Sequence, residues 1–289
     1  MPAAVLGLLS ALVYGSADFL GGVAARRIGP VRTTAVGAVS GLALLMLSLP
    51  IAGGVWSPAA LGWGALSGLV GSAAVGLLYA CLAIGPMSIL SPLTALVSAL
   101  VPMAWGLIGG DRFGLVGSLA LGLALVAVVL VGFVPEKGAV RPSARALGMA
   151  VAAGALIGVF LILLDQTPDD SGVVPLIANR AVNGAIMWAV VALLVLRRRR
   201  APGPADALPR LQPRGVGIAA GAGALDASAN LLILIGLRLG DLTTMSVLVA
   251  LYPAGTILLA AIVLRERVAP VQWVGLVLAV TAAALLALD

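Results

Sequence analysis

The chain has 289 residues, 62% of them hydrophobic and only 10% charged, with a mean hydropathy of +1.18. A soluble domain of this size needs far more charge to cover its surface, so a water-soluble globular fold is excluded. The net charge of +6 does not mark a nucleic-acid binder either, because the arginines fall in short segments between apolar runs and no hydrophilic domain carries a basic patch.

An apolar bilayer core about 30 Å thick takes roughly 20 residues of helix to cross. Barrel strands alternate polar and apolar residues, whereas these runs are solidly apolar, so the spans are read as helices. Breaks at Gly, Pro and charge predict ten spans, at about 3–25, 33–53, 59–82, 86–109, 113–134, 146–166, 173–196, 214–237, 242–263 and 270–288. The first starts at once, lacks a basic leader and runs too long for a signal-peptide core, so it reads as a retained helix. Gly85-Pro86 and Gly240-Asp241 leave short connections, predicting tight hairpins between spans three and four and spans eight and nine. The longest polar connection runs from Arg197 to Arg214.

Basic residues set the expected orientation. All but Arg112, Arg180 and Arg238 of the 17 fall in the connections after spans one, five, seven and nine. Under the positive-inside rule that face is cytoplasmic, which puts both termini outside the cytoplasm. The expected location is the inner membrane of a bacterium, as a multi-pass protein.

A shift of 155 residues aligns Gly85 with Gly240, Ser91 with Ser246, Leu93 with Leu248, Ala99 with Ala254 and Arg112 with Arg267. It also brings Asp111 onto Glu266 without a gap. The expected fold is therefore an all-α integral membrane protein with ten transmembrane helices in two inverted five-helix repeats, residues 1–140 and 141–289. An odd number of spans per repeat inverts the second relative to the first, an arrangement in which transporters hold a site near mid-membrane.

Two carboxylates fall deep inside spans. Asp18 lies about 12 Å of helix rise inside Arg26, and Asp226 sits near the middle of span eight. A carboxylate at such depth is costly in hydrocarbon, by about 2.5–3.5 kcal/mol, so it faces the bundle interior or a wet cavity. Desolvation favours its neutral form, which makes both candidates for proton exchange; a satisfied structural acid is the alternative for each. Tyr14 and Gly22 flank Asp18 at four residues, and Asn230 follows Asp226 by four, so each acid has a polar or small companion on its own face. In span seven Asn179, Arg180 and Asn183 cluster within about one turn, a candidate anion site, although Arg180 can also snorkel to the outer interface. Trp188, deeper than Trp105 or Trp273, is a candidate cavity lining. Glycine pairs at Gly37/Gly41, Gly64/Gly68, Gly154/Gly158 and Gly217/Gly221 predict close helix contacts, and Pro92, Pro102 and Pro253 predict kinks. Asp111-Arg112 and Glu266-Arg267 are expected to cap or pair locally.

Several chemistries are absent. The chain has no histidine, which removes a Ser-His pair and a histidine zinc site, and Cys81 is the single cysteine, so no disulfide forms within the chain. No glycine-lysine phosphate loop drives pumping. No cofactor and no metal are expected.

Leu251-Tyr-Pro253, continuing through Leu264-Arg-Glu266-Arg267 to Gln272-Trp273-Val-Gly275, resembles the end of an EamA repeat of the drug/metabolite transporter superfamily. Tyr14-Gly-Ser-Ala-Asp18-Phe-Leu-Gly-Gly22 followed by Arg26-Arg27 resembles a bacterial branch of the same family. The first half departs from the pattern: Ser98 stands for the proline, Asp111 for the glutamate, no tryptophan follows, and Arg180 has no counterpart around Gly37. The resemblance implies ten helices around a central cavity, alternating access, and efflux of a small metabolite or drug-like solute, without naming it. The partners are then that small-molecule solute and the lipid bilayer, with protons and a homodimer left open. The competing readings are a non-transporting membrane enzyme or scaffold, and a lipid-carrier flippase.

Overall fold

The computed structural model describes residues 2–84, 87–132, 142–200, 212–263, 269–286 and 288. Among them it has eleven α-helices and no strand. In chain order these are α1 (Pro2–Ile28), α2 (Pro30–Ala52), α3 (Pro58–Ile84), α4 (Met87–Gly109), α5 (Leu115–Gly132), α6 (Ala144–Asp165), α7 (Val174–Arg200), α8 (Pro213–Leu239), α9 (Leu242–Val249), α10 (Tyr252–Val263) and α11 (Pro270–Leu286). Seven stretches are long and apolar enough to cross a membrane, one of them running through α9 and α10, and shorter apolar stretches fall in α4, α5 and α11. Large apolar side chains stand exposed all over the outside, Leu47, Ile51 and Ile108 among them, as a bundle solvated by lipid tails requires.

Local chemistry sets the helix ends. Proline at the first position opens α2, α3, α8 and α11, where its missing N–H has no helical partner to lose. Ser143 caps α6 by accepting from Ala146 N at 3.2 Å, and Gln272 reaches back from α11 to the Ala269 N–H at 3.0 Å. Asp241 caps α9 through the Thr244 N–H.

The stretch expected as one ninth span is broken. The chain turns at Ala250 and Leu251, and the Leu251 and Ala254 N–H groups make tight three-residue bonds to Leu248 O (3.1 Å) and Leu251 O (2.9 Å). Pro253 explains the break: it cannot donate to the carbonyl four residues back, and its ring clashes there. Ser98, which the 155-residue shift puts in the same place, donates to Ala95 O at 2.8 Å, and α4 runs through it unbroken. Pro102 also leaves α4 continuous, so of these two only Pro253 interrupts a helix. Pro92 (its side chain), Gly85-Pro86, Glu266-Arg267 and most of the basic connections lie outside the described residues.

The closest helix pairings join the first five helices to the last six: α1 with α8 and α10, α2 with α7 and α8, α3 with α6 and α7, α4 with α6 and α9, and α5 with α11. Gly240-Asp241 is a short link as expected, but α9 leaves α8 and packs on α4 and α1 instead of folding back as a tight hairpin. The two largest buried clusters among the described residues lie around Val128, Leu248 and Leu251 and around Leu45, Leu164, Ile233 and Met245.

Three of the four glycine pairs mark contacts. A Cβ on Gly64 or Gly68 would run into the α7 backbone at Pro175 and Asn179, and Gly154 and Gly158 lie against α4. Gly37 and Gly41 lie against Gly223 of α8. The expected contact through Gly217 and Gly221 is corrected: among the described residues nothing lies within 4 Å of either, because Gly223 holds that interface and the other two face away.

Candidate functional site

Helix α1 carries a stripe at three- and four-residue spacing: Ala4, Gly7, Ala11, Tyr14, Gly15, Asp18 and Gly22. Its first part is closed. Gly7 meets Met245 and Leu248 of α9, and Gly15 touches the α10 backbone at Tyr252, Gly255 and Thr256, where Thr256 Oγ1 donates to Gly15 O at 3.0 Å. Beyond Gly15 the stripe opens: Asp18 and Gly22 are exposed, and among the described residues nothing lies within 4 Å of a Cβ on Gly21 or Gly22. The opening faces the end that bears Arg26 and Arg27.

Asp18 lies one helical turn along α1 from Tyr14 and within electrostatic reach of Tyr14, of Tyr252 of α10 and of Asp226 of α8. The Tyr14 and Tyr252 rings sit 5.8 Å apart, tilted by 58°. The break before Pro253 is what delivers Tyr252 here, at the start of α10.

Asp226 is engaged. Arg180 of α7 forms an ion pair with its carboxylate, with 13% and 24% of the two side chains exposed. The snorkelling alternative for Arg180 is therefore corrected: a carboxylate inside the bundle holds a guanidinium more strongly than the interface does, because the low local dielectric strengthens the pair. Asn230 donates to the Asp226 backbone carbonyl at 2.8 Å, while its own Oδ1 and Arg180 Nε are buried without a partner among the described residues. Asn179 and Asn183 point the other way, to Ser67 (2.9 Å) and Ser72 (3.0 Å) of α3. Span seven thus spends its polar cluster on two neighbours, the asparagines tying α3 and the arginine tying α8.

The structure brings together Tyr14, Asp18, Arg180 and Asp226, with Asn230 beside them, and adds Tyr252, which sequence reasoning quoted only for the proline that follows it. Ser67 and Ser72 were also missed, and five-residue spacing against two asparagines is too weak a signal to find them. Trp188 stands 48% exposed on α7. A hollow of about 300 Å³ elsewhere, lined by Trp273, Val274, Val277 and Leu278 on the outer side of α11, contains neither aspartate.

At the opposite end from Arg26, the Arg238 guanidinium of α8 holds the turn between α6 and α7. It donates to Thr167 Oγ1 at 2.5 Å and Pro168 O at 2.9 Å, and reaches the exposed Asp169 at 3.2 Å. The α2–α3 link lies on the same turn, through Val55 N to Asp170 O (2.9 Å) and Val173 N to Gly53 O (3.2 Å). Gly172, at φ 49°, passes so close to Gly53 that a Cβ would fall 2.2 Å from its carbonyl oxygen. Asp111 is a further correction to local pairing: it reaches across to α9, accepting from Thr243 N (3.1 Å) and Thr243 Oγ1 (2.7 Å). Among the described residues no group of His, Cys, Asp and Glu is arranged to hold a metal.

A lipid-facing helical bundle with a polar group of this kind at its centre defines a polytopic membrane protein. The chain belongs to the EamA-like transporter family, whose model matches residues 144–288. It is accordingly a multi-pass membrane transporter of the drug/metabolite type, with a small-molecule solute and membrane lipid as its partners. A solved crystal structure of a protein, 17% identical, matches with a TM-score of 0.73 over 99% of this chain and 98% of that one, a likeness of fold. No curated protein matches.

Proposed function

We propose that the chain is a secondary active transporter of a bacterial inner membrane, exporting a small metabolite or drug-like solute by alternating access. Its ten spans, with α9 and α10 making one, form two inverted five-helix repeats over residues 1–140 and 141–289, and both termini lie outside the cytoplasm. The central group of Tyr14, Asp18, Arg180, Asp226 and Asn230 contacts the solute, with Asp18 the residue that exchanges a proton. The observation carrying this reading is the α1 stripe, packed shut as far as Gly15 and, among the described residues, open from Asp18 toward Arg26. A path closed at one end and open at the other, with a carboxylate where the two meet, is what one state of an alternating-access carrier requires.

Asp226 is the weaker candidate for proton exchange, because its carboxylate is already engaged by Arg180. Asn179 and Asn183, tied to α3, and Trp188 serve the solute path only if those contacts change during the cycle. Flux into proteoliposomes under an imposed pH gradient is the test. Solute flux driven by the gradient and lost in Asp18→Asn is expected; equal flux in wild type, Asp18→Asn and Asp226→Asn removes proton coupling from the reading. A reporter fused after Asp289 that is active only in the cytoplasm overturns the orientation.

A further inference from the structure

Helix α8 packs along its length on α1 and α2, and α6 and α7 pack on α3, with α2 reaching α7 as well. Among the described residues, two arginines make the polar ties between α8 and the α6–α7 pair. Arg180 of α7 meets Asp226 in the middle of the bundle, and Arg238 of α8 meets the α6–α7 turn at the end opposite Arg26. Between the two ties lies an apolar plug, with Leu164 and Ile177 supplied by α6 and α7 and Ile233 and Leu237 by α8.

Tyr14 of the central group packs against this plug, and Val173, whose N–H bonds to Gly53 O beside the turn, belongs to it at the other end. The plug therefore fills the way from the central group to the Arg238 end, while on the other side of that group the α1 stripe stands open among the described residues. The two ties differ in what breaking them costs. Parting Arg180 from Asp226 strands charges inside the bundle, which is strongly unfavourable. Arg238 and its acceptors lie at the end of the bundle beside the exposed Asp169, where water replaces each bond at small net cost.

We propose that Arg238 is the latch of the gate at this end: its release from Thr167 and Pro168 lets α8 part from the α6–α7 turn and opens the plug to water. Arg238 is thus a positioning residue, acting on the solute path through the helices it joins. This rests on the alternating-access reading and names the contact that governs the closed end. With the latch made, Leu237 and Ile177 stay buried against each other's cluster. With it undone, the apolar contacts below are all that hold the two sides together there.

The test is the rate at which a membrane-impermeant maleimide, added to the Arg238 side of sealed vesicles, labels a reporter cysteine in the full-length chain with Cys81→Ser. The reporter is Ile177→Cys, in the plug, and the control is Ala124→Cys, buried on α5. Arg238→Ala is expected to speed Ile177→Cys labelling about fivefold, the worth of one ordinary hydrogen bond. Thr167→Val is expected to speed it less, Asp169→Asn not at all, and Ala124→Cys to stay unlabelled throughout. If Arg238→Ala fails to fold, Thr167→Val against Asp169→Asn carries the comparison. Equal Ile177→Cys rates with and without the latch, a rise at Ser171→Cys alone, or a parallel rise at Ala124→Cys overturns the proposal. Gly22→Cys, labelled from the Arg26 side, is expected to slow in Arg238→Ala, because opening one end closes the other. Faster Ile177→Cys with unchanged Gly22→Cys sinks alternating access alone, whereas slower Gly22→Cys with unchanged Ile177→Cys sinks the latch alone.

Discussion

Arg180 on α7 and Asp226 on α8 form an ion pair inside the bundle, each side chain mostly hidden from solvent. Two charges taken out of water together are tolerable, but one left behind is not. Arg180→Ala is expected to lower stability by about 3–5 kcal/mol, because it strands the Asp226 carboxylate. The double variant Arg180→Met with Asp226→Leu is expected to recover most of that loss. Thermal unfolding of the purified variants checks both, and a double variant as unstable as Arg180→Ala contradicts the account.

Gly223 and Gly221 lie two residues apart on α8 and predict opposite outcomes. A Cβ on Gly223 would sit 2.2 Å from the Gly37 carbonyl oxygen, so Gly223→Ala must push α2 and α8 apart. The expected loss is about 1–3 kcal/mol. Gly221 has nothing within 4 Å among the described residues, and Gly221→Ala is expected to be neutral or to gain up to about 1 kcal/mol from helix propensity. Midpoints of unfolding that fall together for the two variants would refute the assignment of the contact face.

At α9 two carboxylates from distant parts of the chain serve neighbouring N–H groups, Asp111 that of Thr243 and Asp241 that of Thr244. Asp111→Ala is expected to cost about 1 kcal/mol, the worth of a cap, and Asp111→Asn less, since its amide oxygen still accepts. Hydrogen exchange gives the local reading: the Thr243 amide should exchange faster in Asp111→Ala, with the middle of α8 unchanged.

The Arg238 contacts divide unequally. The Asp169 carboxylate is 95% exposed, and an ion pair with such a group adds little to stability. The bonds to Thr167 and Pro168 are part-buried and hold the α6–α7 turn. Asp169→Asn is therefore expected to leave the unfolding midpoint unchanged, while Arg238→Ala lowers stability by about 1–3 kcal/mol. It should also raise labelling of a cysteine placed at Ser171 by a membrane-impermeant thiol reagent.

Much of the architecture was legible because hydrocarbon is an intolerant solvent: runs that must hide their backbone read as helices, and each predicted span has a helix or a pair of helices over it. Pro253 was legible as a disturbance, and backbone chemistry made it a break. The two deep acids were legible because a charge in such a run is rare. Pairing was not legible. Nothing in the sequence says that Arg180 turns to Asp226 rather than to the interface, or that Asp111 bonds to a residue 132 positions away. Those choices depend on which helices become neighbours, and glycine spacing misleads when several glycines share a helix, as Gly217, Gly221 and Gly223 do.

The interleaving of early and late helices bears on how the protein is made. Helices α1, α2 and α3 take their closest partners from α6, α7 and α8, and α5 takes its own from α11 at the far end of the chain. During synthesis the early helices enter the membrane before those partners exist, so lipid has to cover faces such as Gly37, Gly64 and Gly68 that later meet backbone. Final packing is then an exchange of lipid for protein, one that for α5 waits until α11 has been translated.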